Sequence, residues 1–172
     1  MDNLELKVSL DAKQYYHFNL YHCYHSFNGI LGIFLGILCI VYGVFGCVAG
    51  KTAEPMQIAL LFIFGIVILV YNPIALYIRS KRRFLTNPVM KNPVMYCFSS
   101  KGIMLKQGEV EEEMLWENLY KIVKTKESMI FYLTKYHANI IPLSEIGDDY
   151  DKVCAIIGRY ADKKVVRFRL PE

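Results

Sequence analysis

Two uncharged apolar stretches, Gly29–Gly50 and Met56–Ile78, fill most of the first half of the chain, with only Lys51-Thr52-Ala53-Glu54-Pro55 between them. A helix needs about 20 residues to cross the hydrocarbon core of a bilayer, and each stretch reaches that length. A link this short leaves one arrangement, a helical hairpin that crosses the membrane twice. Arg79-Ser80-Lys81-Arg82-Arg83 follows the second stretch at once. Lys and Arg beside a membrane segment are retained on the cytoplasmic side. The expected topology is therefore multi-pass in the inner (plasma) membrane, with both termini cytoplasmic and the link outside. Orientation accounts for Arg79, Lys81, Arg82 and Arg83 by itself. A grip on anionic headgroups, at about 1 kcal/mol per basic residue near the surface, is compatible with it.

Charge supports this division. Residues 1–28 carry two basic and three acidic side chains, whereas residues 79–172 carry seventeen basic and twelve acidic. Without the four cations of the basic cluster the C-terminal part is almost neutral, so its charge makes no case for nucleic acid. Cys23, Cys39, Cys47, Cys97 and Cys154 show no CxxC spacing. Two lie in the first apolar stretch and three on the expected cytoplasmic side, where thiols stay reduced. The first apolar run starts too late and runs too long for a cleaved signal peptide.

Four regions follow: residues 1–28, the hairpin 29–78, a basic juxtamembrane linker 79–94 and a cytoplasmic domain 95–172. In the first, Leu4, Leu6, Val8 and Leu10 alternate with polar residues as in a half-buried strand. Asp11 can then cap a helix from Ala12 towards His25. That helix carries Tyr15, Tyr16, Phe18, Tyr21 and Tyr24, rings suited to the headgroup layer, and is expected to run into the first membrane helix or lie beside it. In the hairpin, Gly29, Gly36, Gly43 and Gly50 recur every seven residues, with Gly32, Cys39 and Gly46 offset by three. They form a face on which another backbone can approach closely. The chain's own second helix is the simpler partner for that face, and a second copy of the chain is the sharper alternative. Pro73 should kink or loosen the second helix, with Asn72 as a local backbone partner.

Asn87-Pro88-Val89-Met90 and its repeat at Asn92–Met95 favour an extended linker. Short β-type runs follow at Met95–Ser99, Gly102–Lys106, Glu109–Trp116, Leu119–Thr125, Met129–Thr134 and Ala138–Pro142, the pattern of an antiparallel meander. A helix from Asp149 to about Ala161 comes next, with Val153, Ile156, Ile157 and Tyr160 on one face. Val166, Phe168 and Leu170 alternate with Arg167 and Arg169 as in a final strand.

This order is similar to that of the YcxB-like family of small bacterial membrane proteins. The resemblance rests on Phe98-Ser99-Ser100-Lys101-Gly102-Ile103, on Trp116-Glu117-Asn118-Leu119-Tyr120-Lys121-Ile122-Val123, and on Phe131-Tyr132-Leu133 with Ile140-Ile141-Pro142-Leu143. It implies a pleckstrin-homology-like fold for the C-terminal domain, an antiparallel sheet closed by one helix, and supplies no active-site motif. Trp116, the single Trp, reads from its own position as a core anchor rather than a ligand platform.

Other constellations point to no chemistry. His22 and His25, with His17 nearby, share a helix face, but no further ligand pair has matching spacing, so interfacial packing is preferred over metal or haem. Glu109, Glu111, Glu112 and Glu113 read as a solvated strand edge. Asp148, Asp149 and Asp151 suit a helix N-terminus without a metal. His137 lacks a nucleophile at a readable spacing. The expected function is a non-catalytic module, without cofactor, that binds a protein partner or lipid headgroup at the membrane surface. A small oligomeric membrane protein that transports or gates through the glycine stripe is the alternative.

Overall fold

The alternation at the start of the chain resolves as strand β1 (Leu4–Val8), which pairs antiparallel with β2 (Val94–Phe98), far away in sequence. The computed structural model describes residues 3–49 and 54–171. Gly50 of the glycine series and Lys51-Thr52-Ala53 of the link lie outside the described residues. The chain divides into two units, Met1–Tyr15 with Phe84–Glu172, and Tyr16–Arg83.

In the first unit β1 and β2 are joined by β3 (Gly102–Gln107) and β4 (Val110–Leu115) in a four-stranded antiparallel sheet of order β1-β2-β3-β4. Register places Leu4, Phe98, Ile103 and Met114 in one row and Leu6, Tyr96, Leu105 and Glu112 in the next. Strand neighbours alternate across the pleat, so both rows face one side, and all but Leu4 and Glu112 are buried. A 3₁₀ turn at Trp116–Asn118 ends this sheet. Strands β5 (Lys121–Lys124), β6 (Ser128–Tyr132) and β7 (Ala138–Pro142) then form a second, three-stranded antiparallel sheet. The expected single meander is thus two sheets, because the backbone at Trp116–Asn118 turns helical and cannot continue the ladder.

A short helix α4 (Leu143–Ile146) precedes α5 (Tyr150–Tyr160), which buries Val153, Cys154, Ile156 and Ile157 in the core shared with both sheets. Each large apolar side chain fully buried there contributes about 1.5–3 kcal/mol. Glu145 of α4 accepts the Ser9 amide at 3.1 Å, and Gln14 donates to Ser144 at 3.3 Å, tying the N-terminal segment to this unit. The expected final strand is absent as such. Only Val166 forms a bridge, parallel to Ile122, while Val165, Val166, Phe168 and Leu170 pack against the core.

The second unit is helical. Helix α1 (Ala12–Tyr24) starts at a reciprocal cap, with the Gln14 amide donating to Asp11 at 2.6 Å and the Asp11 amide to Gln14 at 2.9 Å. It does not run on into the first apolar helix. Ser26 Oγ bonds the Cys23 carbonyl at 2.6 Å, and α2 (Phe27–Ala49) begins after that turn. Within this unit α1 lies against the far end of α3 (Pro55–Thr86): Tyr16 meets Tyr77 edge to face, and Asn19 donates to the buried Ser80 at 3.1 Å. Pro73 sits inside α3, and Asn72 donates to the Ile68 carbonyl at 3.4 Å.

Helices α2 and α3, of 23 and 32 residues, are long and apolar enough to cross a membrane. Only 11 % and 6 % of the residues in their most apolar windows are buried. At about 1.5 Å per residue α3 is roughly 48 Å long, more than a 30 Å hydrocarbon core requires. The excess is its basic end. The NPVM segment is no extended linker either. Asn87 caps a 3₁₀ turn at Pro88–Lys91, and Gln107 Nε2 holds it by donating to the carbonyls of Val89 and Asn92 at 2.7 and 2.9 Å. Pro88 at the first turn position costs no backbone donor.

Candidate functional site

The glycine stripe meets α3. A Cβ on Gly36 would lie 2.8 Å from the Leu69 side chain and 3.4 Å from the Gly65 carbonyl, and a Cβ on Gly43 would lie 3.2 Å from the Phe62 ring. Gly65 is the reciprocal position, where a Cβ would lie 3.0 Å from the Gly36 carbonyl, and sequence reasoning missed it because it stands alone in an apolar run. A Cβ on Gly32 would lie 3.8 Å from the Asn72 side-chain nitrogen. Gly29, which the periodicity assigns to helix packing, also serves the turn before α2. Its Cβ would overlap the carbonyl of Cys23, so it permits the turn between α1 and α2.

Arg79, Lys81, Arg82 and Arg83 are exposed on the last two turns of α3, around the buried Ser80. Cations there complement the negative end of the helix dipole. Lys81 lies 5.9 Å from the centroid of the Tyr77 ring.

In the other unit, two of the sequence elements that carry the family resemblance, the Ser99–Gly102 turn and Trp116, come together. Ser99 to Gly102 form a tight turn in which Ser99 Oγ bonds the Gly102 carbonyl at 3.0 Å. Gly102 is needed there, because a Cβ would overlap the carbonyl of Met114 on the adjacent strand. Trp116 is 5 % exposed, and its Nε1 donates to the Ser99 carbonyl at 2.9 Å. Phe98 packs beside it, with ring centroids 6.5 Å apart. A cleft of about 680 Å³ opens next to this contact, its rim mixing Lys101 with Glu117, Asp162 and Tyr160.

The titratable clusters have local explanations. His25 stacks on Tyr21 at 3.9 Å and its Nδ1 lies 2.9 Å from the Tyr21 carbonyl. His22 stacks on Phe18, and His17 meets Tyr16 edge to face. Among the described residues no group of three or more His, Cys, Asp or Glu is placed to hold a metal ion. Lys106 pairs with Glu111 across β3 and β4 at 2.8 Å, which raises the lysine pKa. Lys152 is raised in the same way by Asp149, 2.7 Å away. Burial pushes the phenol of Tyr96 up, with Glu112 adding to it, and burial likewise raises the Cys154 thiol, which disfavours its reactive thiolate.

Residues 98–154 match the family model described as YcxB-like protein. The match begins at the last residue of β2 and ends within α5, so it includes both the Ser99–Gly102 turn and Trp116. No curated protein and no solved structure matches the chain. The chain therefore carries a YcxB-like domain at residues 98–154, preceded by two long apolar helices consistent with a membrane anchor.

Proposed function

We propose that this protein is a membrane-anchored, non-catalytic binding module. Helices α2 and α3 span the inner membrane as a hairpin, both termini are cytoplasmic, and the YcxB-like domain binds a protein partner or a lipid headgroup at the membrane surface. The observation that carries this reading is the bareness of the apolar helices. Phe34, Phe45, Phe64 and Tyr71 are each at least 60 % exposed, a surface that water would penalise heavily and lipid would not. A core helix of a soluble protein would be buried instead. The four-plus-three arrangement of antiparallel strands followed by α5 supports a pleckstrin-homology-like fold for the domain. The glycine stripe, which prompted the transport and gating alternative, is engaged by α3 at Gly36, Gly43 and Gly65.

Alkaline carbonate extraction of membranes from cells expressing the full chain tests the anchor. Retention in the pellet, with release by detergent, is expected; release by carbonate contradicts an integral protein. Photo-reactive residues at exposed Tyr120 and Tyr136 test the binding role, with discrete protein or lipid adducts expected in intact cells.

A further inference from the structure

Basic side chains collect along one rim of the domain. Strand β5 contributes Lys121 and Lys124, and the segment that pairs with it contributes Lys163, Lys164, Arg167 and Arg169. That pairing is direct: the Ile122 amide donates to the Val165 carbonyl at 2.7 Å, and the Arg167 amide to the Ile122 carbonyl at 2.8 Å. Because Ile122 and Val166 share the core-facing side, Lys121 and Arg167 leave from the opposite face. Lys121 sits 4.4 Å from the centroid of the Tyr132 ring. Lys124 leaves on the other side, 4.4 Å from the Tyr150 ring centroid, and donates to its hydroxyl at 2.7 Å. The rim is therefore cationic on both flanks.

The acids nearest the rim are few and dispersed: Asp149 and Asp151 flank Tyr150 at the start of α5, with Asp149 paired to Lys152 at 2.7 Å. Asp162 accepts the Lys164 amide at 2.9 Å, and Glu127 lies in the turn after β5. Among the described residues, no carboxylate forms an ion pair with Lys121, Lys124, Lys163, Lys164 or Arg167. The consecutive acids Glu111, Glu112 and Glu113 lie on β4, the edge of the other sheet.

We propose that the β5 rim is a docking surface for anionic phospholipid headgroups. This rests on the membrane-anchored reading, since a domain tethered to a bilayer meets headgroups at a high effective concentration. Four of the six cations are lysines, hydrated point charges on flexible stems. They suit a fluid, diffuse anionic surface better than a fixed bidentate partner. Tyr120, 48 % exposed with Lys121 over its ring, adds a side chain suited to the headgroup layer. Each basic residue brought to such a surface adds about fivefold to partitioning, and salt weakens it.

The test uses the full chain in nanodiscs of phosphatidylcholine alone or mixed with phosphatidylglycerol, treated with a water-soluble lysine-acylating reagent. Lys121, Lys124, Lys163 and Lys164 should react several-fold more slowly in the anionic discs. Lys135, exposed in the turn between β6 and β7, should react equally in both, and high salt should erase the difference. Equal rates at the rim, or equal slowing at Lys135, would overturn the proposal. So would the same slowing from inorganic phosphate in neutral discs, which marks a single-anion site, or slowing by polyglutamate alone, which marks an acidic protein. Stable insertion into neutral discs reports the anchor separately. A chain that inserts without rim protection refutes this inference only, whereas failure to insert refutes the anchored reading and this inference with it.

Discussion

Gly36 and Gly65 set how closely two apolar helices approach, and the consequence can be tested one residue at a time. Gly36→Leu places a branched side chain against Leu69 and the Gly65 backbone, an overpacking that costs about 1–3 kcal/mol. Ile37 is 50 % exposed beside it, so Ile37→Leu should cost almost nothing. Thermal unfolding in detergent or lipid should fall clearly for the first variant only; equal effects would make the glycine spacing incidental. Tyr96 gives a second test. An unfolded tyrosine ionises near 10, whereas burial holds folded Tyr96 above that value. Below pH 10 both states keep the proton and the shift contributes its full stability. Above pH 10 only the unfolded chain releases it, so stability falls by up to about 1.4 kcal/mol per pH unit. Alkaline denaturation followed by the fluorescence of Trp116, the single Trp, should be steeper in the parent than in Tyr96→Phe. A parent slope no steeper than the variant's would contradict this. The seven-residue spacing made Gly36 and Gly43 readable in the sequence, but it gave no sign of the turn that Gly29 permits. A glycine needed for a turn looks like a glycine needed for packing.

Elements with a clear period were readable, and elements set by a partner were not. Alternation gave β1, whose partner β2 lies beyond the whole hairpin in sequence. Leu6 and Val8 are buried in this sheet, so their amides should resist hydrogen exchange in the full-length protein. Leu6→Asp puts a charge into the row with Tyr96 and Leu105 and should abolish that protection. Fast exchange throughout residues 4–8 of the parent would remove β1 from the sheet. The C-terminal Val166–Leu170 alternates equally well and yet forms one bridge, because a strand needs a ladder as well as a pattern. The split into two sheets was hidden too. Glu109–Trp116 and Leu119–Thr125 read as consecutive strands, and only the turn geometry at Trp116–Asn118 separates them. The meeting of Trp116 with Ser99 is a tertiary contact that no local spacing announces.

At the scale of the molecule, hydropathy and charge carried the most information, since the bilayer imposes length and sign rules that few soluble folds share. The helices, their order and the basic end of α3 all follow from those rules. The proposed docking rim of the domain does not, because residues such as Lys121 and Arg167 become neighbours only through the pairing of distant segments. Changing Arg79, Lys81, Arg82 and Arg83 to Gln together should weaken the orientation of the hairpin, since the link offers only Lys51 in competition. The central claim, an anchored domain facing the cytoplasm, is tested most directly by thiol accessibility in intact cells. Glu54→Cys in the link and Ser100→Cys in the exposed turn of the domain are compared with the parent, using a membrane-impermeant reagent added outside. New labelling at residue 54 with none at 100 until the cells are opened is the predicted result. Labelling at 100 with protection at 54 would place the YcxB-like domain on the other side of the membrane and contradict the account.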